Sequence, residues 1–226
     1  IMNDLQRIED MMKLQGTMNA LVNSDWRTAE YNWRDAIMLE AAEAFDHTSW
    51  KWWKDTTKEP DWGQIKLEVI DIWHFVLSTA LEEEMTAEKI LGIKPSNMET
   101  LGIKTLDQTT LRNIIRILIS DSLGGSYNRL VEDMYLLTHA VGMSLEDVYN
   151  LYVPKNVLNI FRQNNGYKDG TYLKNWNANK FDPDMVIEDN QVLTAIVETT
   201  KPELLTAEFL MERLTTEYAK VKESKA

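Results

Sequence analysis

Apolar side chains recur along this chain at helical steps of three and four, while the period-two alternation of a half-buried strand is weak throughout. Asn3 stands where a cap belongs for a first helix running to about residue 22. Leu5, Ile8, Met12, Gln15 and Asn19 lie along one side of it. After a polar loop at 24–32 a second helix begins. Pro60 and Asp61 then make the turn and cap into a third, which ends in the acidic run Glu82-Glu83-Glu84. Residues 92–107, with two glycines and a proline, predict an irregular connection. Two further helices are expected over about 106–123 and 127–141, separated by Gly124-Gly125. That pair is a helix break and not a phosphate loop, because no Lys-Ser or Lys-Thr follows it. Ser144 and Asp147 form a capping box for a long helix to residue 165, bent or restarted at Pro154. A polar loop at 175–184 and one or two amphipathic helices, capped at Thr206, complete the chain. No repeat and no long linker interrupts this pattern. The prediction is an all-α helical bundle forming a single domain over residues 1–226.

Two places break the apolar pattern in the same way. Glu40-x-x-Glu43 sits within Ala36 to Phe45, and Glu68-x-x-Asp71 within Ile65 to Val76. A spacing of three puts both acids of each pair on one helix face. An ionised carboxylate is costly to bury without a cation, and two such pairs brought together concentrate about four negative charges. A divalent metal offers the simplest compensation, and all-oxygen ligands favour Mg²⁺ over Zn²⁺. The expectation is a four-carboxylate metal site between two facing helices.

Composition narrows the function. The net charge is −12, which argues against a nucleic-acid surface but not against a nucleotide substrate, since bound metal reverses the local sign. The absence of cysteine excludes thiol catalysis and fits a cytoplasmic protein. No apolar stretch approaches the length of a membrane span, and no signal peptide is apparent at the start of the sequence.

Other residues add candidate chemistry, each with a structural reading beside it. Gln15 and Asn19 are one helical turn apart. They continue an apolar stripe into solvent or form an amide pair suited to reading a base edge. Seven of the eight tryptophans fall between Trp26 and Trp73, which fits a large-residue core and base stacking alike. Phe75 lies one turn past Asp71, with His74 beside it. Glu40, Glu43, His47 and Trp50 follow one another at helical steps along the acid face. Lys155, Asn159 and Arg162 share one face of the long helix, as a solvated stripe or a grip for successive phosphate oxygens. Four acids, a basic face and aromatics together predict phosphoryl or nucleotidyl chemistry.

These residues carry a resemblance. Met11-Met12-Lys13-Leu14-Gln15, Trp33-Arg34, Glu40-x-x-Glu43, Trp50-Lys51-x-Trp53-Lys54, Glu68-x-x-Asp71-Ile72-Trp73-His74-Phe75 and the run from Lys155 to Gly170 resemble the dimeric all-α dUTPases. These belong to the wider group of helical NTP pyrophosphatases. The acid pairs indicate only that wider group; the basic run points to the dUTPase branch. No motif is recognised between about 85 and 143. The resemblance implies hydrolysis of dUTP, and of dUDP, to dUMP by Mg²⁺-activated water attacking the α-phosphorus, with Glu40 or Glu43 orienting the water. It implies two or more Mg²⁺ ions on Glu40, Glu43, Glu68 and Asp71. Lys155, Asn159, Arg162, Tyr167 and Lys174 would bind the phosphates. Gln15, Asn19, Trp53, His74 and Phe75 would surround the base, in a homodimer. Three other readings are a dCTP or dual dCTP/dUTP pyrophosphatase, a non-catalytic nucleotide-binding module, and a di-iron carboxylate bundle. The last normally pairs Glu-x-x-His motifs, which this chain lacks.

Overall fold

A computed structural model describes all 226 residues. The protein is all-helical, with nine α-helices, two short 3₁₀ turns and no strand beyond an isolated bridge between Asn175 and Glu188. Its contacts group into two compact units, Ile1–Tyr152 and Val153–Ala226.

The first unit contains α1 (Asp4–Val22), α2 (Trp33–Asp46), α3 (Trp62–Glu82), α4 (Ala87–Ile93), α5 (Gln108–Gly124) and α6 (Tyr127–Ala140). It also contains the opening turns of α7 (Leu145–Asn164). Helix α3 is the centre of this unit and packs against α1, α2 and α6. It is apolar on most of its circumference: Ile65, Val69, Ile72, Trp73, Val76, Leu77 and Ala80 are all buried, as expected of a helix enclosed by others. Trp73 satisfies its buried indole N–H on Thr138 Oγ1 at 2.9 Å. Helix α2 packs on both α3 and α5, and α4 lies on α1 and α6.

The predicted caps hold. Asn3, Asp61 and Thr206 each accept from a backbone N–H in the first turn of their helix. Ser144 and Asp147 exchange the reciprocal hydrogen bonds of a capping box. Three details differ from the sequence pattern. Met11, not Met12, is the fully buried member of the α1 stripe. Helix α2 stops at Asp46 with His47 as its C-cap, so Trp50 lies beyond the helix that was expected to carry it. Helix α7 runs through Pro154 without restarting. Proline removes one backbone N–H there, but buried residues on both sides anchor the flanking turns, including Tyr152, Lys155 and Leu158.

The second unit packs the rest of α7 with α8 (Asp189–Thr199) and α9 (Ala207–Ser224). Its core joins Val157, Leu158 and Phe161 to Trp176, Leu193, Ile196, Leu210, Leu214, Tyr218 and Val221. After α7 the chain turns at Gly166, whose φ is +88°. A Cβ built there would stand 1.9 Å from Thr171 Oγ1, so only glycine fits this reversal.

Candidate active site

The acids of α2 and α3 meet. Ligand-type oxygens of Glu40, Glu68 and Asp71 all lie within 4.8 Å of one another. Glu68 is buried, Glu40 and Asp71 are half-buried, and Glu43 is exposed one turn beyond Glu40. Carboxylates this close repel. Burial, then the charges of Asp71, Glu68 and Glu43, then a hydrogen bond with Glu68, push the Glu40 carboxyl up to about 8. His47 contributes a basic group: its Nε2 stands 3.2 Å from Glu68 Oε1, and that hydrogen bond raises the imidazole above its ordinary value. An all-oxygen donor set on two rigid helices, strained by its own charge, suits a hard divalent cation. The residues therefore fit Mg²⁺ by donor chemistry and spacing.

A second group forms between α1 and α3. Gln15 Nε2 donates to Asn19 Oδ1 at 2.9 Å, and Asn19 Nδ2 donates to Ser78 Oγ at 2.9 Å. The Tyr152 hydroxyl donates to Gln15 Oε1. The Tyr152 ring stacks on His74, with centroids 4.1 Å apart and planes 13° from parallel. His74 Nδ1 is 2.8 Å from the Ile70 carbonyl, which assigns the proton to that nitrogen. Gln15 and Asn19 are thus buried in a polar chain and do not trail into solvent. Phe75 follows on α3, half-buried, with the Trp33 ring at 6.3 Å. Trp53 is 55% exposed, and its ring contacts are with Trp50 and Trp52 beyond α2. Of the seven clustered tryptophans only Trp26 and Trp73 are buried, so the large-residue core accounts for a minority.

The basic face of α7 is not solvated. Lys155 is fully buried and Arg162 nearly so. Within the second unit Lys155 Nζ donates to Asn190 Oδ1 at 2.5 Å. Arg162 binds Asp189 through two parallel bonds of 2.8 Å, from Nε and from Nη2. The Tyr172 hydroxyl donates to the same carboxylate at 2.6 Å. Burial alone would raise the Asp189 carboxyl, but the Arg162 hydrogen bonds and charge, Tyr172 and Lys155 hold it below the ordinary range. Asn159 Oδ1 accepts from Arg162 Nη1 at 3.2 Å. Tyr167 is 45% exposed, with the Arg162 guanidinium 5.7 Å from its ring centre, and Lys174 is exposed.

Sequence reasoning did not find Tyr152, Ser78, Tyr172, Asp189 or Asn190. Tyr152 carried a signal, since it stands three residues before Lys155 and opens the stripe 152, 155, 159, 162 on α7. Asp189 and Asn190 are 27 and 35 residues from their partners, and no local pattern marked them.

No curated protein matches this sequence. A family model described as dUTPase matches residues 7–167, from early α1 to just past the end of α7. That span takes in the acid cluster, the amide chain and most of the basic motif. The chain belongs to the all-α dUTPase family, whose activity is the hydrolysis of dUTP to dUMP.

Proposed function

We propose that Glu40, Glu43, Glu68 and Asp71 hold Mg²⁺ ions, and that water attacks the α-phosphorus of dUTP in line, releasing pyrophosphate. The observation that carries this reading is the convergence of Glu40, Glu68 and Asp71 in a member of a dUTP-hydrolysing family. When bound, the metal supplies Lewis-acid charge at phosphate oxygens and eases deprotonation of water. The protein's own groups do the rest. Glu40 or Glu43 accepts a proton from the attacking water. Lys155 and Arg162 neutralise charge that grows on the leaving pyrophosphate, and Asn159, Tyr167 and Lys174 hold its outer oxygens. Gln15, Asn19, His74, Phe75 and Trp53 surround the base, with Phe75 as the stacking plane.

Because the scissile bond lies at the α-phosphorus, a β-phosphate suffices as leaving group and dUDP is also a substrate. We further infer a homodimer. Its support is the resemblance to the dimeric all-α dUTPases. No helix is long and apolar enough to cross a membrane. A cysteine-free chain with net charge −12 fits a cytoplasmic enzyme acting on free nucleotides and not on nucleic acid.

The test is turnover of dUTP, dUDP, dTTP and dCTP with Mg²⁺ in ¹⁸O-labelled water, products resolved by chromatography and mass. The proposal expects dUMP from both dUTP and dUDP, with the label in dUMP. Label in orthophosphate, with dUDP accumulating from dUTP, would place attack at the γ-phosphorus and overturn it.

A further inference from the structure

The amide chain in the first unit has a direction. Ser78 sits in α3, fully buried, and its hydroxyl donates to the His74 carbonyl at 2.8 Å. A carbonyl can only accept, so the Ser78 proton is committed and its oxygen is left to accept. That fixes the neighbour: Asn19 must turn its NH₂ toward Ser78, which leaves Asn19 Oδ1 to accept from Gln15 Nε2. Gln15 Oε1 then accepts from the Tyr152 hydroxyl, closing the chain at a second donor. Both ends enforce the same order. Reversing it would take the Ser78 proton from its carbonyl and turn the proton of fully buried Tyr152 away from its acceptor.

An amide whose oxygen and nitrogen are free to exchange places reads two bases equally well. The uracil edge presents N3–H beside carbonyl oxygens, whereas cytosine presents an acceptor at N3 beside an amino donor. Swapping the oxygen and nitrogen of a facing carboxamide converts the complement of one into the complement of the other. Each amide here keeps one N–H and one oxygen lone pair after its bonds within the chain, enough to meet such an edge. We infer that Ser78 and Tyr152, neither of which need touch the base, set uracil-over-cytosine specificity by locking the orientation of Gln15 and Asn19. This inference rests on the assignment of Gln15 and Asn19 to the base site.

The measurement is the ratio of kcat/KM for dUTP to that for dCTP in the wild-type enzyme and in Ser78→Ala and Tyr152→Phe, with melting temperatures taken alongside. A residue that only supports the fold would depress both substrates together and leave the ratio alone. We expect the wild type to favour dUTP, and each variant to lower the ratio by about tenfold, more through gained dCTP turnover than lost dUTP turnover. Should Ser78→Ala fail to fold, Tyr152→Phe tests the same chain from its other end. A wild type without preference, or variants that turn over dUTP at an unchanged ratio, would overturn the inference. Absence of dUTP turnover in the wild type would instead strike at the reading of the whole site.

Discussion

The two charged clusters of this protein are built on opposite principles. In the first unit like meets like: Glu40, Glu68 and Asp71 converge, and burial together with the neighbouring carboxylate charges pushes the Glu40 carboxyl up to about 8. In the second unit opposites meet. Arg162 and Asp189 form a bidentate buried pair, Lys155 is held by Asn190, and the Asp189 carboxyl is drawn down. The first arrangement stores electrostatic repulsion that a bound cation would relieve. The second neutralises its charge internally, with Lys155 and Arg162 held in fixed directions by neighbouring acceptors. Charge alone would not have separated these cases; who sits beside whom does.

Removing a charge should therefore have opposite structural consequences in the two places. Glu68→Gln is expected to lower dUTP turnover by about 10³-fold or more, while the melting temperature without metal holds or rises, because one repelling charge has gone. Steady-state kinetics paired with thermal melting would show this, and a clear loss of stability would contradict it. Arg162→Ala should lower activity and also destabilise by about 3–5 kcal/mol, since it leaves a fully buried Asp189 without its bidentate partner. Urea unfolding measures that cost. A value near zero would mean that the pair is not buried in solution.

A third carboxyl tests whether the like-charge logic holds away from any ligand site. Asp133 on α6 is buried, and burial, a hydrogen bond with Asp121 and the charge of Asp121 push it up to about 8. Its folded value lies above its unfolded one, so the folded state binds the extra proton between about pH 4 and 8. Its contribution to stability is fully present at acid pH and is lost as pH rises through that window. Asp133→Asn should flatten that decline, with the gain largest near pH 8 in melting curves taken across the range. The smallest effect is expected at Trp53, where Ala should change stability by less than about 0.5 kcal/mol because the ring is more than half exposed. A raised KM for dUTP in that variant, at unchanged stability, would support its place beside the base.

Much of the fold was legible because it is local. Asn3, Asp61, Ser144 and Thr206 announced their helices, and the pairs Glu40/Glu43 and Glu68/Asp71 announced a shared face by spacing alone. Helix α4 was not predicted. It has seven residues, its Thr86 cap lies two residues past the end of an acidic run, and so short a segment carries little periodicity. Within the candidate site, the meeting of the two acid pairs was foreseen because buried like charges demand a shared cation, whereas neutral and oppositely charged partners distant in sequence were not. Lys155 and Arg162 were visible as a stripe, yet nothing in that stripe said that Asn190 and Asp189 would bury it. Gln15 and Asn19 were visible as a pair, while Ser78, which gives the pair its direction, lies 59 residues from Asn19.

The central claim is that the carboxylates of α2 and α3 form one Mg²⁺ site. Titration calorimetry of the protein with Mg²⁺, without nucleotide, tests it most directly when wild type and Asp71→Asn are compared. Saturable binding in the wild type, weakened at least about tenfold in the variant with its melting temperature preserved, is the predicted result. Equal Mg²⁺ affinity in both proteins would contradict it.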